Sequence, residues 1–163
     1  MELVDVRDLL AAPAATRALK RSEALEGLEG ELARADDPIR MELRLESVVE
    51  GILVSGRLRG SIRYSCARCL KPGESGFDVE VTELFSQGAA PDDEEAYPVE
   101  EGSIDLEPMV RDAVLLGMPF SPLCRPDCLG LCERCGGDRN LGECVCAEEV
   151  DPRWAALDGL NID

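Results

Sequence analysis

The sequence predicts an α+β fold: a small antiparallel sheet with flanking helices, together with a cysteine-rich loop module. Three features support this prediction. Residues 41–86 alternate between apolar and polar, an apolar stretch after residue 105 has helical spacing, and the chain contains eight cysteines. The predicted organisation is a partly helical N-terminal segment at 1–40, a sheet with an acidic loop and a helix at 41–123, and a module at 124–163 that combines the cysteines with a C-terminal helix.

Three strands are predicted, at 41–49, 52–64 and 77–85. Each alternates apolar with charged residues, which is the pattern of a strand with one buried face. Glu50-Gly51 suits the first turn, so the three strands are expected to form an antiparallel meander. The second strand has an apolar face, formed by Ile52, Val54, Leu58, Ile62 and Tyr64, and a basic face, formed by Arg57, Arg59 and Arg63.

An acidic block follows the sheet, because no basic residue occurs between Lys71 and Arg111. Its middle, residues 86–102, is expected to be a mobile surface loop, since like charges and few apolar residues cannot repay the entropy of ordering. A helix is then predicted from near Asp105 to Gly117, covering the sheet. Its apolar positions are Leu106, Met109, Val110, Ala113, Val114 and Leu116.

A terminal helix is predicted to open at Asp151-Pro152, because Asp is a favourable N-cap and Pro is favourable at the first helical position. This helix would carry Trp154 and Leu157, and Trp154 would anchor it by packing.

The formal charge of −17 comes from 34 acidic and 17 basic residues. It disfavours binding of naked nucleic acid by the whole surface, since that affinity depends on Lys and Arg contacts to phosphates. A basic partner is therefore favoured. The first residues lack the features of a signal peptide, and no apolar stretch approaches the length of a transmembrane helix, so we expect a cytoplasmic protein without a membrane partner.

The cysteines predict metal binding. They occur as Cys66-x2-Cys69, Cys124-x3-Cys128, Cys132-x2-Cys135 and Cys144-x-Cys146, and the chain has no histidine. In a reducing compartment such pairs are typical of zinc ligands, and zinc takes four thiolates, so two all-cysteine sites are expected. We group Cys66, Cys69, Cys124 and Cys128 in one site and Cys132, Cys135, Cys144 and Cys146 in the other. Arg68, Arg125 or Arg134 would offset their negative charge.

Other interpretations of the cysteines stay open at this stage. Cys66 and Cys69 could form a redox dithiol, although no thioredoxin-like βαβ pattern surrounds them. Cys128-x3-Cys132-x2-Cys135 has the spacing of radical-SAM iron–sulfur ligands, although repeated βα units are absent from the sequence. Disulfides would require an oxidising compartment.

The sequence is not expected to encode an enzyme. It offers no histidine, no glycine-rich phosphate loop and no serine elbow, and a four-thiolate site has no open position. Carboxylates are abundant, so hydrolysis remains an alternative, but nothing places them for catalysis. No small-molecule substrate is inferred.

Several motifs together resemble the YceD family, the large ribosomal RNA subunit accumulation proteins. They are the segment at 65–70 around Cys66-Ala67-Arg68-Cys69, Ile104-Asp105-Leu106, and the segment at 119–124 ending in Pro122-Leu123-Cys124. Residues 131–136 and Asn140-Leu141 resemble the cysteine-rich tail of many bacterial members, and the likeness covers about residues 40–157.

The resemblance implies a role in accumulation of large-subunit rRNA and hence in ribosome biogenesis. The family's gene often neighbours that of a small ribosomal protein of the large subunit. Some members lack the tail cysteines while keeping Cys-x-Arg-Cys, which is compatible with two separable sites. Where many relatives have an Asn-Leu-Asn run, this sequence has Asp138-Arg139-Asn140-Leu141, a departure that is minor for folding but puts any role for that loop in question.

Two surfaces could then contact a partner. In the first hypothesis, the acidic loop mimics phosphates and binds a basic ribosomal protein or assembly factor. Its candidate contacts are Asp92, Asp93, Glu94, Glu95, Glu100 and Glu101. In the alternative, basic residues after and within the second strand touch rRNA directly. These are Arg57, Arg59, Arg63, Arg68 and Lys71. The net charge favours the protein partner, although either charge run could simply be solvated.

Overall fold

The computed structural model describes residues 1–88 and 97–146, together with Arg153. Within this part of the chain, the main feature is a curled sheet of eight strands. The strands are β1 (Val4–Asp5), β2 (Thr16–Glu23), β3 (Ala33–Arg34), β4 (Ile39–Val48), β5 (Gly51–Ser65), β6 (Pro72–Ser86), β7 (Tyr97–Glu100) and β8 (Ser103–Ile104). The helices are α1 (Arg7–Leu10) and α2 (Glu107–Gly117), and a 3-10 turn spans Arg139–Leu141.

The predicted meander is confirmed by the pairing of β4, β5 and β6. All three strands run antiparallel, and Leu45 lies opposite Val54 while Leu58 lies opposite Val79. Leu45, Val54 and Leu58 are fully buried, as the period-2 pattern predicts. The strands are longer than predicted, and β6 begins directly after the cysteine-containing turn that ends at Lys71.

The sheet curls so that its two terminal strands approach each other. The strand order is β1-β8-β7-β6-β5-β4-β2, with β3 paired to β5. From β2, Arg17 contacts Asp8 at 3.2 Å and the carbonyl oxygen of Asp5 at 2.5 Å, and Arg21 donates to the carbonyl of Glu2 at 3.0 Å. These arginines cover edges that would otherwise present unpaired backbone groups.

Helix α2 packs on β6 and completes the core, as predicted. Met109, Val110 and Val114 are buried in one apolar core that includes the fully buried Phe85 of β6. The prediction that Leu116 shares this inward face is wrong, because its side chain is 82% exposed. Two positions along a helix correspond to a rotation of about 200°, so Leu116 points away from the side on which Val114 lies.

The prediction of a mobile loop at 86–102 is wrong for the last part of that range. Residues Tyr97–Glu100 form β7, which pairs with β6 in parallel, so the sheet is not purely antiparallel. Tyr97 stacks on Phe85 with ring centroids 5.2 Å apart. This aromatic contact and the ladder hydrogen bonds order a segment whose charges alone predict a loop.

The N-terminal segment is partly helical, but its helix is the single turn α1. The segment also contributes β1, β2 and β3, so the sheet is larger than the small sheet that was predicted. The helix predicted to open at Asp151-Pro152, with Trp154 and Leu157, lies outside the described residues apart from Arg153. Within the described ranges, no helix has the length and apolarity needed to cross a membrane.

Candidate metal centre

The first group of converging cysteines joins the turn between β5 and β6 to the segment after α2. Cys66 and Cys69 lie in the turn, and Cys124 and Cys128 lie in the segment after the helix. These four residues, the first cluster, have sulfur atoms within 4.8 Å of one another. The Sγ atoms of Cys66 and Cys128 are 3.8 Å apart, and those of Cys69 and Cys124 are 3.6 Å apart. Only Cys124 of the four is exposed.

These distances can be compared with those of a tetrahedral thiolate site. A Zn–S bond of about 2.3 Å gives an S–S edge of about 3.8 Å, because the edge of a regular tetrahedron is about 1.63 times its centre-to-corner distance. The two measured distances, 3.8 and 3.6 Å, agree with that edge. Along these two edges, the first cluster therefore has the spacing that a zinc ion bound by four thiolates requires.

A second group of cysteines converges within the loop segment that follows. Cys132, Cys135, Cys144 and Cys146, the second cluster, have sulfur atoms within 4.8 Å of one another. Cys135 and Cys146 are exposed, and the other two are half-buried, so this cluster is more open to solvent than the first. Each cluster could hold a metal ion. The structure thus brings together the same two sets that the sequence analysis grouped, and their role as ligands stays a prediction.

The Cys-x2-Cys turns of the two clusters share one hydrogen-bond scheme. In the first, the Cys66 N–H donates to the Lys71 carbonyl at 2.9 Å, and the Leu70 N–H donates to the Cys66 carbonyl at 2.9 Å. In the second, the Cys132 N–H donates to the Gly137 carbonyl at 2.9 Å, and the Gly136 N–H donates to the Cys132 carbonyl at 2.8 Å. The repeated scheme holds both sulfurs of each turn on one side of the chain.

Backbone amides favour the ionised form of the first sulfur in each turn. The pKa of Cys66 is lowered to about 6, chiefly by the N–H of Cys124 and further by the N–H groups of Cys69 and Arg68. The pKa of Cys132 is lowered to about 6 in the same way, chiefly by the N–H of Cys135.

The close approach of sulfur atoms raises the pKa of other cysteines in the clusters. The pKa of Cys146 is raised to about 12, chiefly through its hydrogen bond with the Cys135 sulfur, followed by those with Cys144 and Cys132. A cluster of four thiols cannot ionise fully while its charges only repel one another. A divalent cation removes this repulsion, so the arrangement is suited to a metal ion.

Asn140 ties the loop of the second cluster to a sulfur of the first. Its Nδ2 donates to the Cys128 sulfur at 3.6 Å and to Asp138 Oδ1 at 2.7 Å. Its Oδ1 accepts from Arg125 Nη2 at 2.7 Å and from the Leu129 N–H at 2.8 Å. The departure from the Asn-Leu-Asn pattern put a role for this loop in question, and the structure gives the loop a direct contact with the first cluster.

An ion pair makes a second connection between the clusters. Lys71, which directly follows the first turn, contacts Asp138 with Nζ and Oδ2 2.7 Å apart. The Asp138 side chain is only 8% exposed. Its pKa is lowered to about 2, chiefly by Lys71 and then by hydrogen bonds from Asn140. The carboxylate is therefore ionised at neutral pH, and its ion pair with Lys71 joins the loop to the first turn.

Sequence reasoning missed Asn140 and Asp138 as supports of the clusters. Asp138-x-Asn140 is a local turn signal, since Asp138 accepts from the Asn140 N–H at 2.8 Å and precedes the 3-10 turn. That signal predicts the turn and does not reveal the contact with Cys128. Of the predicted arginines, Arg68 donates to the Cys128 carbonyl at 2.8 Å and Arg125 reaches Asn140, so both lie beside the first cluster.

The strand arginines lie among carboxylates of neighbouring strands. Arg57 forms ion pairs with Glu80 and Asp78, and Arg59 lies 2.9 Å from Asp78 and 3.5 Å from Glu42. Arg63 lies 3.3 Å from Asp36. The outer face of β5 is basic, as predicted, but the acidic residues beside it neutralise that charge. With the Arg68 and Lys71 contacts described above, all five candidate RNA contacts have partners within the protein.

The candidate contacts for a basic partner are only partly described. Glu100 is exposed at the end of β7, and Glu101 is exposed in the turn to β8. Asp92, Asp93, Glu94 and Glu95 lie outside the described residues. Of the six acidic residues, the described part of the chain thus shows two, next to each other and both exposed.

Comparison with known proteins relates the chain to relatives in bacteria and plants. An uncharacterized protein of Mycobacterium tuberculosis is 44% identical over 122 residues, which is 72% of this chain and 59% of the relative. An uncharacterized protein of Mycobacterium leprae is 36% identical over 161 residues, covering 94% of this chain and 74% of the relative. The chain thus spans about three fifths of the length of the Mycobacterium tuberculosis protein.

A plant relative has a functional name. The large ribosomal RNA subunit accumulation protein YCED homolog 1, chloroplastic, of Arabidopsis thaliana is 33% identical over 66 residues, covering 40% of this chain and 21% of the relative. No solved structure matches the chain significantly. The sequence model of YceD, the large ribosomal RNA subunit accumulation protein, matches residues 54–161. Because this match covers most of the chain and includes all eight cysteines, the protein belongs to the YceD family.

Proposed function

We propose that this protein promotes the accumulation of large-subunit rRNA as a zinc-binding, non-enzymatic binding factor in ribosome biogenesis. Family membership supports the rRNA role. The zinc-binding and non-enzymatic parts of the proposal rest on the convergence of eight cysteines into two clusters of four. A tetrahedral ion with four thiolate ligands has no open position for substrate or water, so its contribution is to hold separate segments of chain together.

The partner is proposed to be a basic ribosomal protein or assembly factor. The charge of −17 would attract such a protein and speed its encounter with this one. Exposed Glu100 and Glu101 are the described members of the proposed contact surface. Direct rRNA contact through β5 is less well supported, because Arg57, Arg59 and Arg63 are engaged by carboxylates.

The metal part of this proposal is tested by elemental analysis of protein purified without added metal. About two zinc ions per chain are expected, since eight thiolates make two sets of four. A value below one zinc per chain would contradict the proposal. The variant Cys128→Ser should lose about one zinc, whereas Ser121→Ala, in the same segment but outside both clusters, should lose none.

The rRNA role is tested in a bacterial strain that lacks its own YceD protein. The chain should restore the ratio of large-subunit to small-subunit rRNA, and Cys128→Ser should restore it less well. Affinity purification before and after nuclease treatment then identifies the partner. A basic protein that stays bound after nuclease treatment supports the proposal, and an association that nuclease abolishes supports direct rRNA binding instead.

A further inference from the structure

The loop between Cys135 and Cys144 belongs to the second cluster by sequence and contacts the first cluster in space. Both cysteines are members of the second cluster, so an ion there would close the loop between them. Within the loop, Asn140 donates to Cys128, a buried member of the first cluster, over 3.6 Å. Asn140 therefore connects the loop of the second cluster to a sulfur atom of the first cluster.

The orientation of the Asn140 amide follows from its partners. The guanidinium of Arg125 and the N–H of Leu129 can only donate, so they must face Oδ1. The carboxylate of Asp138 can only accept, so it must face Nδ2. The group directed at Cys128 is thus a donor, which stabilises a thiolate and disfavours its displacement by water.

Backbone bonds also join the first turn to the segment before Cys132, and that segment to the loop. The Leu131 N–H donates to the Arg68 carbonyl at 3.0 Å, and the Arg139 N–H donates to the Gly130 carbonyl at 3.0 Å. Gly130 has φ +76°, and a Cβ there would lie 3.0 Å from the Arg68 carbonyl oxygen, so only glycine allows this approach. The Lys71–Asp138 ion pair contacts the first turn directly from the loop, and the backbone bonds connect the loop to that turn through Gly130 and Leu131.

We infer that Asn140 is a positioning residue for the first metal site and couples the two sites, so that metal in the second cluster raises the affinity of the first. The inference rests on the proposed zinc binding. When the second cluster holds an ion, the loop between Cys135 and Cys144 is closed and Asn140 is held against Cys128. When the ion is absent, ordering the loop costs conformational entropy, and the hydrogen bond to Cys128 is formed less of the time.

Thermodynamic linkage makes the coupling reciprocal. If loading of the second cluster raises the affinity of the first by some factor, loading of the first must raise that of the second by the same factor. Removal of an amide that supports a metal ligand typically lowers affinity by about 10- to 100-fold. We therefore expect Asn140→Ala to weaken zinc binding at the first cluster by at least about tenfold.

The experiment uses the full chain in a zinc competition titration against a chelator. Alkylation of each cysteine, followed by peptide mass spectrometry, measures occupancy of Cys66 and Cys69 separately from that of Cys132 and Cys135. The variants are Asn140→Ala, Cys146→Ser and the double variant. Leu141→Ala is the control, because Leu141 lies in the same 3-10 turn and is 64% exposed. Far-ultraviolet circular dichroism checks that the sheet is intact in each.

We expect Asn140→Ala and Cys146→Ser each to lower zinc affinity at the first cluster, and the double variant to lower it by less than the product of the two factors. The Leu141→Ala variant should bind like the wild type. Asn140→Asp keeps an acceptor for Leu129 and replaces the donor that faces Cys128 with an acceptor, so it should be at least as weak as Asn140→Ala. In the reverse experiment, Cys66→Ser should lower the zinc affinity of the second cluster by the same factor by which Cys146→Ser lowers that of the first.

The outcomes separate this inference from the proposed function. If both clusters bind zinc and Cys146→Ser leaves the first cluster unchanged, the coupling is wrong while the zinc proposal stands. If both single variants weaken the first cluster and their factors multiply in the double variant, Asn140 does not carry the coupling and the inference fails. If neither cluster binds zinc in the wild type, the proposed function fails first.

Discussion

Leu70 and Gly136 occupy the same position in two successive turns, directly after the second cysteine of each, and both have left-handed backbone conformation. Their φ angles are +60° and +72°. The shared hydrogen-bond scheme of the turns requires this conformation, which glycine adopts freely and leucine does not. Leu70 is also 61% exposed, so burial of its side chain compensates little of that cost.

Replacement of Leu70 by glycine is expected to stabilise the protein. The left-handed conformation costs a leucine about 1–2 kcal/mol, and the greater freedom of glycine in the unfolded chain offsets part of the gain. We expect Leu70→Gly to raise the free energy of unfolding by about 0.5–1 kcal/mol, measured by urea denaturation with metal present.

Gly136→Ala provides the matched control, because among the described residues no atom outside the two chain neighbours lies within 4 Å of the Cβ that it would add. Its effect therefore reports backbone strain alone, and a loss of about 1 kcal/mol is expected. If Leu70→Gly were destabilising while Gly136→Ala behaved as expected, the Leu70 side chain would contribute packing that its exposure conceals.

The meander could be predicted from the sequence because its inward positions are nearly all apolar. Strand β2 could not be predicted in this way. Its half-buried positions are Arg17, Leu19, Arg21 and Glu23, so only one residue in four is apolar and the period-2 signal disappears. The arginines occupy these positions because they reach the N-terminal segment across the curl of the sheet, a contact that depends on tertiary structure.

The grouping of the cysteines could be proposed from the sequence because zinc takes four ligands and the pairs are closely spaced. The support from Asn140 could not, since it lies 12 residues from Cys128 in sequence and reaches the sulfur only through the folded path of the loop. The neutralisation of the strand arginines by neighbouring carboxylates could likewise not be predicted from the sequence. It depends on the register that places Arg57 opposite Glu80 and Arg59 opposite Asp78.

Removal of metal is expected to unfold the cysteine-containing segment and spare the sheet. The buried cysteines, Cys66, Cys69 and Cys128, form an apolar cluster of their own with Leu123 and Leu131, separate from the main core. After chelation, amide hydrogen exchange should accelerate at Leu131, whose N–H donates to the Arg68 carbonyl of the first turn, and at Gly136, whose N–H donates to the Cys132 carbonyl. Amides in the middle of β4 and β5 should stay protected.

The same measurement on the Cys66→Ser variant provides the comparison, because this variant already lacks a complete first cluster. If chelation changed exchange equally in the wild type and in Cys66→Ser at the first turn, the metal would not act through that cluster. Equal protection before and after chelation throughout residues 122–146 would contradict a structural role for the metal.

Replacement of the strand arginines is expected to leave rRNA accumulation intact. Their ion pairs with Asp78, Glu80 and Asp36 are exposed to solvent, so each contributes little to stability. The triple variant Arg57→Ser, Arg59→Ser, Arg63→Ser should fold and should restore the ratio of large-subunit to small-subunit rRNA in the strain that lacks its YceD protein. If the triple variant had a normal free energy of unfolding and failed to restore the ratio, direct rRNA contact would be favoured.

Ionisation of Tyr97 is expected to lower the stability of the fold as the pH rises above 10. Its hydroxyl donates to Asp112 Oδ2 at 2.9 Å, which connects β7 to α2. Burial, followed by the hydrogen bond to Asp112, raises the pKa of Tyr97 to about 12 from a usual value of 10.0. Above pH 10 the unfolded chain releases this proton while the folded chain retains it, so the contribution to stability is complete below pH 10 and is lost as the pH rises to about 12.

The measurement is the free energy of urea unfolding between neutral pH and pH 12 for the wild type and for Tyr97→Phe. At neutral pH the variant should lose about 1 kcal/mol with the hydrogen bond, and above pH 10 the difference between the two proteins should shrink. Other groups titrate in the same range, and subtraction of the variant removes their contribution. Asp112→Asn keeps an acceptor without the charge, so its alkaline slope should be shallower than that of the wild type. A constant difference between wild type and Tyr97→Phe from neutral pH to pH 12 would mean that Tyr97 ionises equally in the folded and unfolded chains.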